Sequence, residues 1–498
     1  MPLVCLCLTG KTIAENLAAI DRFRGRIDIA ELRADLLDPN EAMSLRSFPE
    51  RAGLPCILTV RRKAEGGGFV EGEGVRLVMM SKALIYARPD KRANFAYVDL
   101  ECDFRVPAVE EACRTFGTRI IRSAHYIHGM PSSLDAAWAE LAPEPGEIPK
   151  LSVTALGAAD LAKLITWSRE LRAPERILIS MGDYGVPSRI LADRLGSTLV
   201  YASSSGAGLP DGAPGQIDPI ALGDVYRFRE IGRDTAVYGL GGDRSVVGSR
   251  SPALHNSAFR AAGIDAVYLP FPADSAGALI SALEAAGARG AAITVPLKED
   301  VLPYLVTRSP EVQDIGACNT LLRNIEGWAG YDTDALGFEK SLLAFLGRDD
   351  LQGLRATLVG AGGAAKAAAH VLAKLGVAVL ILNRNVAKAK ALARRYAFTA
   401  GPNDDRSSNI IADHSDIIVQ ATSVGMEGGA PGDPLEWYYF TGREAVFDMV
   451  YRPARTPLLE RAAEAGCRAC NGDAMLRFQA AEQFRLWTGR QPPPTYNE

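Results

Sequence analysis

The chain has 498 residues, 48% of them hydrophobic and 23% charged, with a formal net charge of -4. That balance is ordinary for a folded globular protein and gives no electrostatic basis for binding nucleic acid. At roughly 100–200 residues per domain, about three domains are expected. No apolar run approaches the ~20 residues of a membrane helix, so no membrane partner is expected. The opening MPLVCLCLTG goes straight into strand-like sequence. It has no basic or Arg/Ser-rich leader, so the expected location is cytoplasmic. The eight cysteines are scattered and lie mostly in apolar runs. They suit a reducing compartment and give no disulfide framework. Cys467 and Cys470 have redox spacing, but no other pair accompanies them, so no metal is expected.

In chain order, short apolar runs stand at 3–8, 27–33, 56–61, 95–101, 119–125, 150–156, 176–182 and 197–203. Stretches of helical periodicity such as SLDAAWAEL and AADLAKLITWSREL separate them. Eight such units predict an α/β chain that opens with a (β/α)8 TIM barrel, with an open doubly wound sheet as the rival. A barrel places catalytic groups at the carboxyl ends of its strands. Arg33, Arg61, Glu101 and His125 end their runs, whereas Lys150 opens one. The turn-rich LPDGAPGQIDP closes this block, and a boundary is expected near 228–234. Strands and helices alternate again from 235 to about 340, followed by a dinucleotide-binding unit and a last helix. The expected domains are 1–228, 234–342 and 343–470, with a helix over 471–490 returning to the middle domain. The Pro-rich tail RQPPPTYNE is expected to fray.

Gly360, Gly362 and Ala365 form G-x-G-x-x-A between a strand and a helix, with Gly363 and Ala364 inside the turn. Such a turn lets backbone approach a pyrophosphate at a helix N-terminus, making a Rossmann-like site; a tight structural turn is the alternative. The next strand ends in Asn383 and Arg384, with Lys388 one turn on, where an NAD site has an acid. A guanidinium suits a phosphate dianion, so NADP is predicted over NAD, against a merely solvated turn. Thr422, in the strand and turn IIVQATSVGM, can flank the nicotinamide side.

GSRSPALHNSAF, ITVPLK, GACNT, GYDTDALG, GAGGAAKA, ATSVGM, FDMVYRPARTPLL and NGDAMLRFQAAEQF, spread over 235–490, together resemble shikimate dehydrogenase. ELRAD, LTVRRKAEGG, YVDLE, SAHY, PKLSVTA, MGDYGVPSR and APGQ, over 3–220, resemble type I 3-dehydroquinate dehydratase. The whole chain is thus similar to the fused bifunctional enzyme of the shikimate pathway. The resemblance implies dehydration of 3-dehydroquinate through a lysine Schiff base, then reduction of 3-dehydroshikimate to shikimate with NADPH.

In the first half the resemblance makes Lys150 the imine-forming lysine and His125 the general base and acid, with Glu65 orienting it. A partly desolvated lysine and a base with a pKa near 6.5 suit those tasks. Arg189 and Gln216 would hold the substrate carboxylate, and Glu31, Arg33 and Arg61 the hydroxylated ring. In the second half Lys298 and Asp334 would be the proton-transfer pair. Ser249 and Ser251 would take the carboxylate, Thr294, Asn319 and Gln479 the hydroxyls, and Tyr451 would line the pocket. Gly360, Gly362, Gly363, Ala364, Asn383, Arg384, Lys388, Thr422, Met449 and Gly472 would meet the cofactor. His128 is read as loop and His255 as structural.

Four positions depart from the family pattern. Gly212 stands for a serine, Ala292 for the Asn of Asn-Val-Thr, Asp332 for the Asn of Asn-Thr-Asp, and Gln420 for the Asn of Asn-Ala-Thr-Ser. Two other readings exist: a non-catalytic sensor like fungal quinate repressors, and a quinate-using dehydrogenase. The first should have lost Lys150, His125, Lys298 or Asp334; the second should carry an acid in place of Arg384. The oligomeric state is left open, a monomer included.

Overall fold

A computed structural model describes residues 1–84 and 90–496. Its first sheet holds β1 (Leu3–Leu8), β2 (Ile29–Arg33), β3 (Cys56–Thr59), β4 (Tyr97–Glu101), β5 (Arg119–Tyr126), β6 (Ile148–Thr154), β7 (Ile177–Met181) and β8 (Leu199–Ala202). The strands lie in the order β7-β6-β5-β4-β3-β2-β1-β8, and every ladder is parallel. Because β1 pairs with both β2 and β8, the sheet curls round. At the remaining seam, Thr198 N–H donates to the Arg176 carbonyl just ahead of β7 (2.8 Å). This near-closed barrel, not an open sheet, is the architecture of the first half.

Strand alternation builds the barrel interior in layers. Cys5, Ile29, Ile57, Ile121, Ile148, Ile177 and Leu199 form an apolar floor. Two residues further along the same strands stand Glu31, Thr59, Ser123 and Lys150, all buried. Lys150 is therefore the third residue of β6, inside the sheet, and does not open its strand. The run that begins at Lys150 was misplaced because Ile148 and Pro149 already pair with β5. Arg61 lies two residues beyond the end of β3.

Between β6 and β7 runs α1 (Ala158–Glu170). The second sheet contains β9 (Ala236–Gly242), β10 (Ala266–Pro272), β11 (Ala288–Ile293), β12 (Leu305–Arg308), β13 (Thr320–Arg323) and β14 (Trp328–Tyr331). Its order is β10-β9-β11-β13-β14-β12, with β13 antiparallel to both neighbours. Helices α2 (Ser251–Ala261), α3 (Ala276–Ala285) and α4 (Asp334–Leu346) accompany it. Packing of α3 against α1 joins the halves, in one apolar cluster from Leu161 and Ile165 to Leu279 and Leu283. Arg169 donates to the Ala285 carbonyl and Arg194 to the Ala286 carbonyl (2.8 Å). These cations cap the negative end of the α3 dipole.

The third sheet holds β15 (Arg355–Val359), β16 (Ala378–Asn383), β17 (Thr399–Pro402), β18 (Ile417–Gln420), β19 (Ala445–Asp448) and β20 (Arg468–Cys470). All its ladders are parallel and the order is β17-β16-β15-β18-β19-β20, the doubly wound 3-2-1-4-5-6 pattern. It carries α5 (Gly363–Lys374) and α6 (Val386–Arg395). The last helix, α7 (Asp473–Thr488), leaves this sheet and packs on α4. Its Trp487 indole donates to the Leu321 carbonyl of β13 (3.0 Å).

The tail does not fray as expected. Tyr496 is 2% exposed, its hydroxyl 2.9 Å from His255 Nδ1. His255 stacks on Tyr268 with centroids 4.4 Å apart, and burial drags its pKa to about 3. One aromatic residue in a polar, Pro-rich segment finds an aromatic cluster, and its burial outweighs composition. Among the described residues no helix is long and apolar enough to cross a membrane.

Candidate active site

In the barrel the alternating layers gather the expected groups above the apolar floor. Lys150 Nζ donates to Asp99 Oδ2 at 2.8 Å and sits 4.4 Å from the centroid of the Tyr201 ring. Arg61 lies 2.8 Å from Asp99, 2.9 Å from Glu101 and 3.5 Å from Glu65. His125 Nδ1 is 2.9 Å from Glu65 Oε2. With Glu65 ionised, Nδ1 carries the proton and Nε2 is left as the free base.

Burial, then the positive charges of Arg61 and Lys150, hold the His125 pKa well below its usual value, so the ring is neutral. Burial pushes Glu65 up. Burial also works against the Asp99 charge, but Arg61 and Lys150 hold its carboxyl well below the usual range. Asp99 escaped the sequence reading although the signal was there. In YVDLE it shares a face with Tyr97 and Glu101, one layer below the strand end.

Glu31 accepts from Thr59 Oγ1 (2.8 Å) and Cys7 Sγ (3.2 Å). Arg33 grips Asp35 with Nε and Nη2 (2.9 and 2.7 Å), leaving Nη1 toward the Gly212 carbonyl. Arg189 differs. It is 3% exposed and donates only to the Pro214 and Tyr201 carbonyls; its Nε has no partner, and burial pulls its pKa down to about 10. A buried guanidinium with an unpartnered N–H is able to bind a carboxylate. Gln216 Oε1 accepts from Gly212 N–H (3.1 Å), fixing that loop beside Arg189. A Cβ on Gly212 would lie 2.2 Å from Cys7 Sγ, which explains the missing serine. His128 is exposed.

In the second half Lys298, from the turn after β11, contacts Asp334 at the start of α4. Asn319 Nδ2 donates to Asp334 Oδ1 at 2.7 Å. Burial opposes the Lys298 charge, yet Asp334 and Asp332 together raise its pKa. Gln479 of α7 reaches the cluster, its Oε1 3.4 Å from Thr333 Oγ1 and 3.5 Å from Asn319 Nδ2. Four segments distant in sequence thus meet in one cleft. Ser249 Oγ accepts from Ser251 N–H at 3.2 Å, and the two hydroxyls are 3.2 Å apart at the N-terminus of α2. Thr294 is half-buried at the end of β11, and Tyr451 is half-buried within electrostatic reach of Tyr268. Ala292 packs in the apolar cluster with Ala480 and Phe484.

At the switch point of the third sheet, Gly360 has φ +120, and a Cβ there would lie 3.1 Å from the Ala421 carbonyl and Thr422 Cγ2. Gly362 precedes α5, and Gly363 and Ala364 form its first turn. A Cβ on Gly363 would meet Lys298 Cδ at 2.9 Å, so the glycine-rich turn lies directly against the Lys298–Asp334 pair. Asn383 donates to the Asn385 carbonyl (3.0 Å). Arg384 and Lys388 are exposed and form no salt bridge among the described residues. Gln420 clasps the turn by donating to the Thr422 and Val424 carbonyls (3.1 Å each). Gly472 N–H donates to the Val450 carbonyl (3.1 Å), beside Met449.

Four stretches of the chain match known family models. Residues 4–233 match the type I 3-dehydroquinase family, and 244–321 the shikimate dehydrogenase substrate binding domain. Residues 343–426 match the shikimate / quinate 5-dehydrogenase family, and 474–496 the shikimate 5'-dehydrogenase C-terminal domain. The chain is 30% identical over 482 residues to the chloroplastic bifunctional 3-dehydroquinate dehydratase/shikimate dehydrogenase of Arabidopsis thaliana, covering 94% of this chain and 78% of that protein. Against the shikimate dehydrogenase (NADP(+)) of Pyrococcus abyssi it is 39% identical over 258 residues, covering 51% and 93%. The solved structure of dehydroquinate dehydratase and shikimate dehydrogenase from S. pombe is 25% identical, with a TM-score of 0.43 over 100% of this chain and 98% of that one. The chain belongs to the family of bifunctional 3-dehydroquinate dehydratase/shikimate dehydrogenases.

Proposed function

We propose that this chain dehydrates 3-dehydroquinate to 3-dehydroshikimate in the barrel and reduces the product to shikimate with NADPH in the second half. The observation that carries the reading is the pairing of two complete sites in one chain. Lys150 is held by Asp99 beside neutral His125, and Lys298 is held by Asp334 against the dinucleotide turn.

In the barrel, Arg189 takes the substrate carboxylate and presents the ketone to Lys150. The amine attacks the carbonyl carbon and water leaves, giving an imine. His125 Nε2 removes the α-proton, the C–C double bond forms, and the β-hydroxyl departs as water with the proton that His125 returns. Hydrolysis of the imine frees Lys150. The imine makes the α-proton acidic, and a buried neutral histidine is a base ready at neutral pH.

In the second half, the turn of Gly360, Gly362 and Gly363 fits a pyrophosphate, and Arg384 with Lys388 fits the 2'-phosphate of NADP. Bound NADPH supplies the hydride. Ser249 and Ser251 hold the substrate carboxylate at the positive end of α2. Asn319 and Gln479 take hydroxyls, and Lys298 donates the proton that the new alkoxide needs. Asp334 keeps that ammonium charged and aimed.

The test gives the purified protein 3-dehydroquinate and NADPH and follows NADPH oxidation. Sustained oxidation, together with a borohydride-trapped adduct on Lys150, is the expected result. Oxidation with 3-dehydroshikimate alone would remove the dehydratase, and none with either substrate would overturn the reading.

A further inference from the structure

Asp332 stands where the resembled family has an amide, beside the proposed reductase pair. Its Oδ1 accepts from Ala335 N–H at 2.9 Å, while its Oδ2 is buried without any partner. Three ionisable groups face it: Asp334 at the start of α4, Lys298 from the turn after β11, and Cys318 from the segment before β13. Neighbouring Asn319 directs its amide to Asp334 and leaves Asp332 unserved. A buried oxygen with no donor, on a residue 8% exposed and next to a second carboxylate, is a poor seat for negative charge.

We propose that Asp332 is a positioning residue that works in its neutral, proton-holding form, and that its ionisation turns reduction down by setting a second carboxylate beside the Lys298–Asp334 pair. Neutral Asp332 matches an amide in shape and charge: one oxygen accepts from Ala335 and the other bears a hydrogen. Ionised Asp332 strengthens the hold on the Lys298 proton, making that ammonium a weaker acid toward the alkoxide. It also adds a negative charge near the site of an anionic substrate. Burial first, then the Asp334 charge, pushes the Asp332 carboxyl up to about 7, so the change falls at neutral pH. The group is neutral below that value and charged above it.

This inference rests on the reductase reading. The experiment measures kcat/KM for 3-dehydroshikimate with NADPH across roughly pH 6 to 9, for the intact protein and for Asp332→Asn. The intact protein should lose about tenfold per pH unit above neutrality, more in kcat/KM than in kcat, as expected for a group titrating in the free enzyme. D332N should stay level to within about twofold over the same window. The dehydratase activity of the same preparation reports that the variant is folded. An alkaline fall retained in D332N would overturn the inference, as would a folded D332N that reduces nothing at any pH. Failure of the intact protein to reduce 3-dehydroshikimate would instead overturn the reductase reading.

Discussion

The two sites solve the same problem, aiming a lysine with a carboxylate, in opposite ways. In the barrel Glu31, Asp99, Glu101, His125 and Lys150 come from one sheet, and strand alternation alone stacks Ile148, Lys150 and Ser152 up one wall. Cations and anions there saturate one another: Arg61 meets three carboxylates, and Asp99 meets Arg61 and Lys150. The reductase site is assembled from four segments, and its carboxylates outnumber its cations, with Asp332 and Asp334 beside Lys298. A site built by one sheet can be dense in charge because its geometry is fixed by the ladder. A site built across a cleft holds fewer charges, and one of its acids is left to protonation. Arg189 differs, a buried cation hydrogen-bonded only to carbonyls with an unpartnered Nε, and in the proposed reading substrate completes the network there.

The largest effects should come from the two lysines, and they should separate the sites cleanly. Lys150→Ala should lower dehydration by roughly 10⁴-fold or more while reduction of supplied 3-dehydroshikimate is unchanged. Lys298→Met should lower reduction by roughly 10²–10⁴-fold, the range for loss of a general acid, and leave dehydration intact. Steady-state assays of each half-reaction check both. Loss of both activities in either variant would mean that the halves do not work as separate sites.

The two sites should also part in pH. His125 has its pKa depressed, so it stays a free base until the pH falls well below 6.5. The acid limb of dehydratase kcat/KM should therefore lie below the ordinary histidine value, with a level profile through neutrality. An acid limb centred near 6.5 would show that His125 is not shielded as the structure has it.

These contrasts mark how much was legible in sequence. The barrel, the doubly wound sheet and the strand-end residues Arg33, Glu101 and His125 follow from period-two runs and turn chemistry. Asp99 was missed because it pairs with Lys150 from another strand, and Asp35 because only the turn after β2 brings it back onto Arg33. The tail was misjudged because composition describes the whole segment, whereas Tyr496 alone buries it against His255. Of the departures, Gln420 still closes its turn, and Ala292 sits in apolar packing where an amide would lack company. Gly212 follows from a contact that no local pattern displays. Its absent side chain leaves room for Cys7, about 200 residues earlier in the chain. Gly212→Ser should cost about 1–3 kcal/mol of stability by overpacking. Adding Cys7→Ala should recover most of it, measured by chemical denaturation of the single and double variants. Additive losses would show that Cys7 does not set that position.

The smallest expected effect is at Arg384, and it tests the least buried part of the reductase site. Arg384 is exposed and has no ion pair to lose among the described residues, so its removal should leave stability unchanged. Its value is the attraction of one guanidinium for a phosphate dianion in solvent, about 1 kcal/mol, or roughly fivefold in KM for NADPH. NADH lacks that phosphate, so its KM should not move, and the preference for NADPH should narrow by the same factor. Raising salt should shrink the difference, since exposed charges are screened over about 8 Å at physiological ionic strength. Equal weakening of NADPH and NADH by Arg384→Ala would place the side chain on the ribose or adenine, and leave Lys388 as the cation that reads the phosphate.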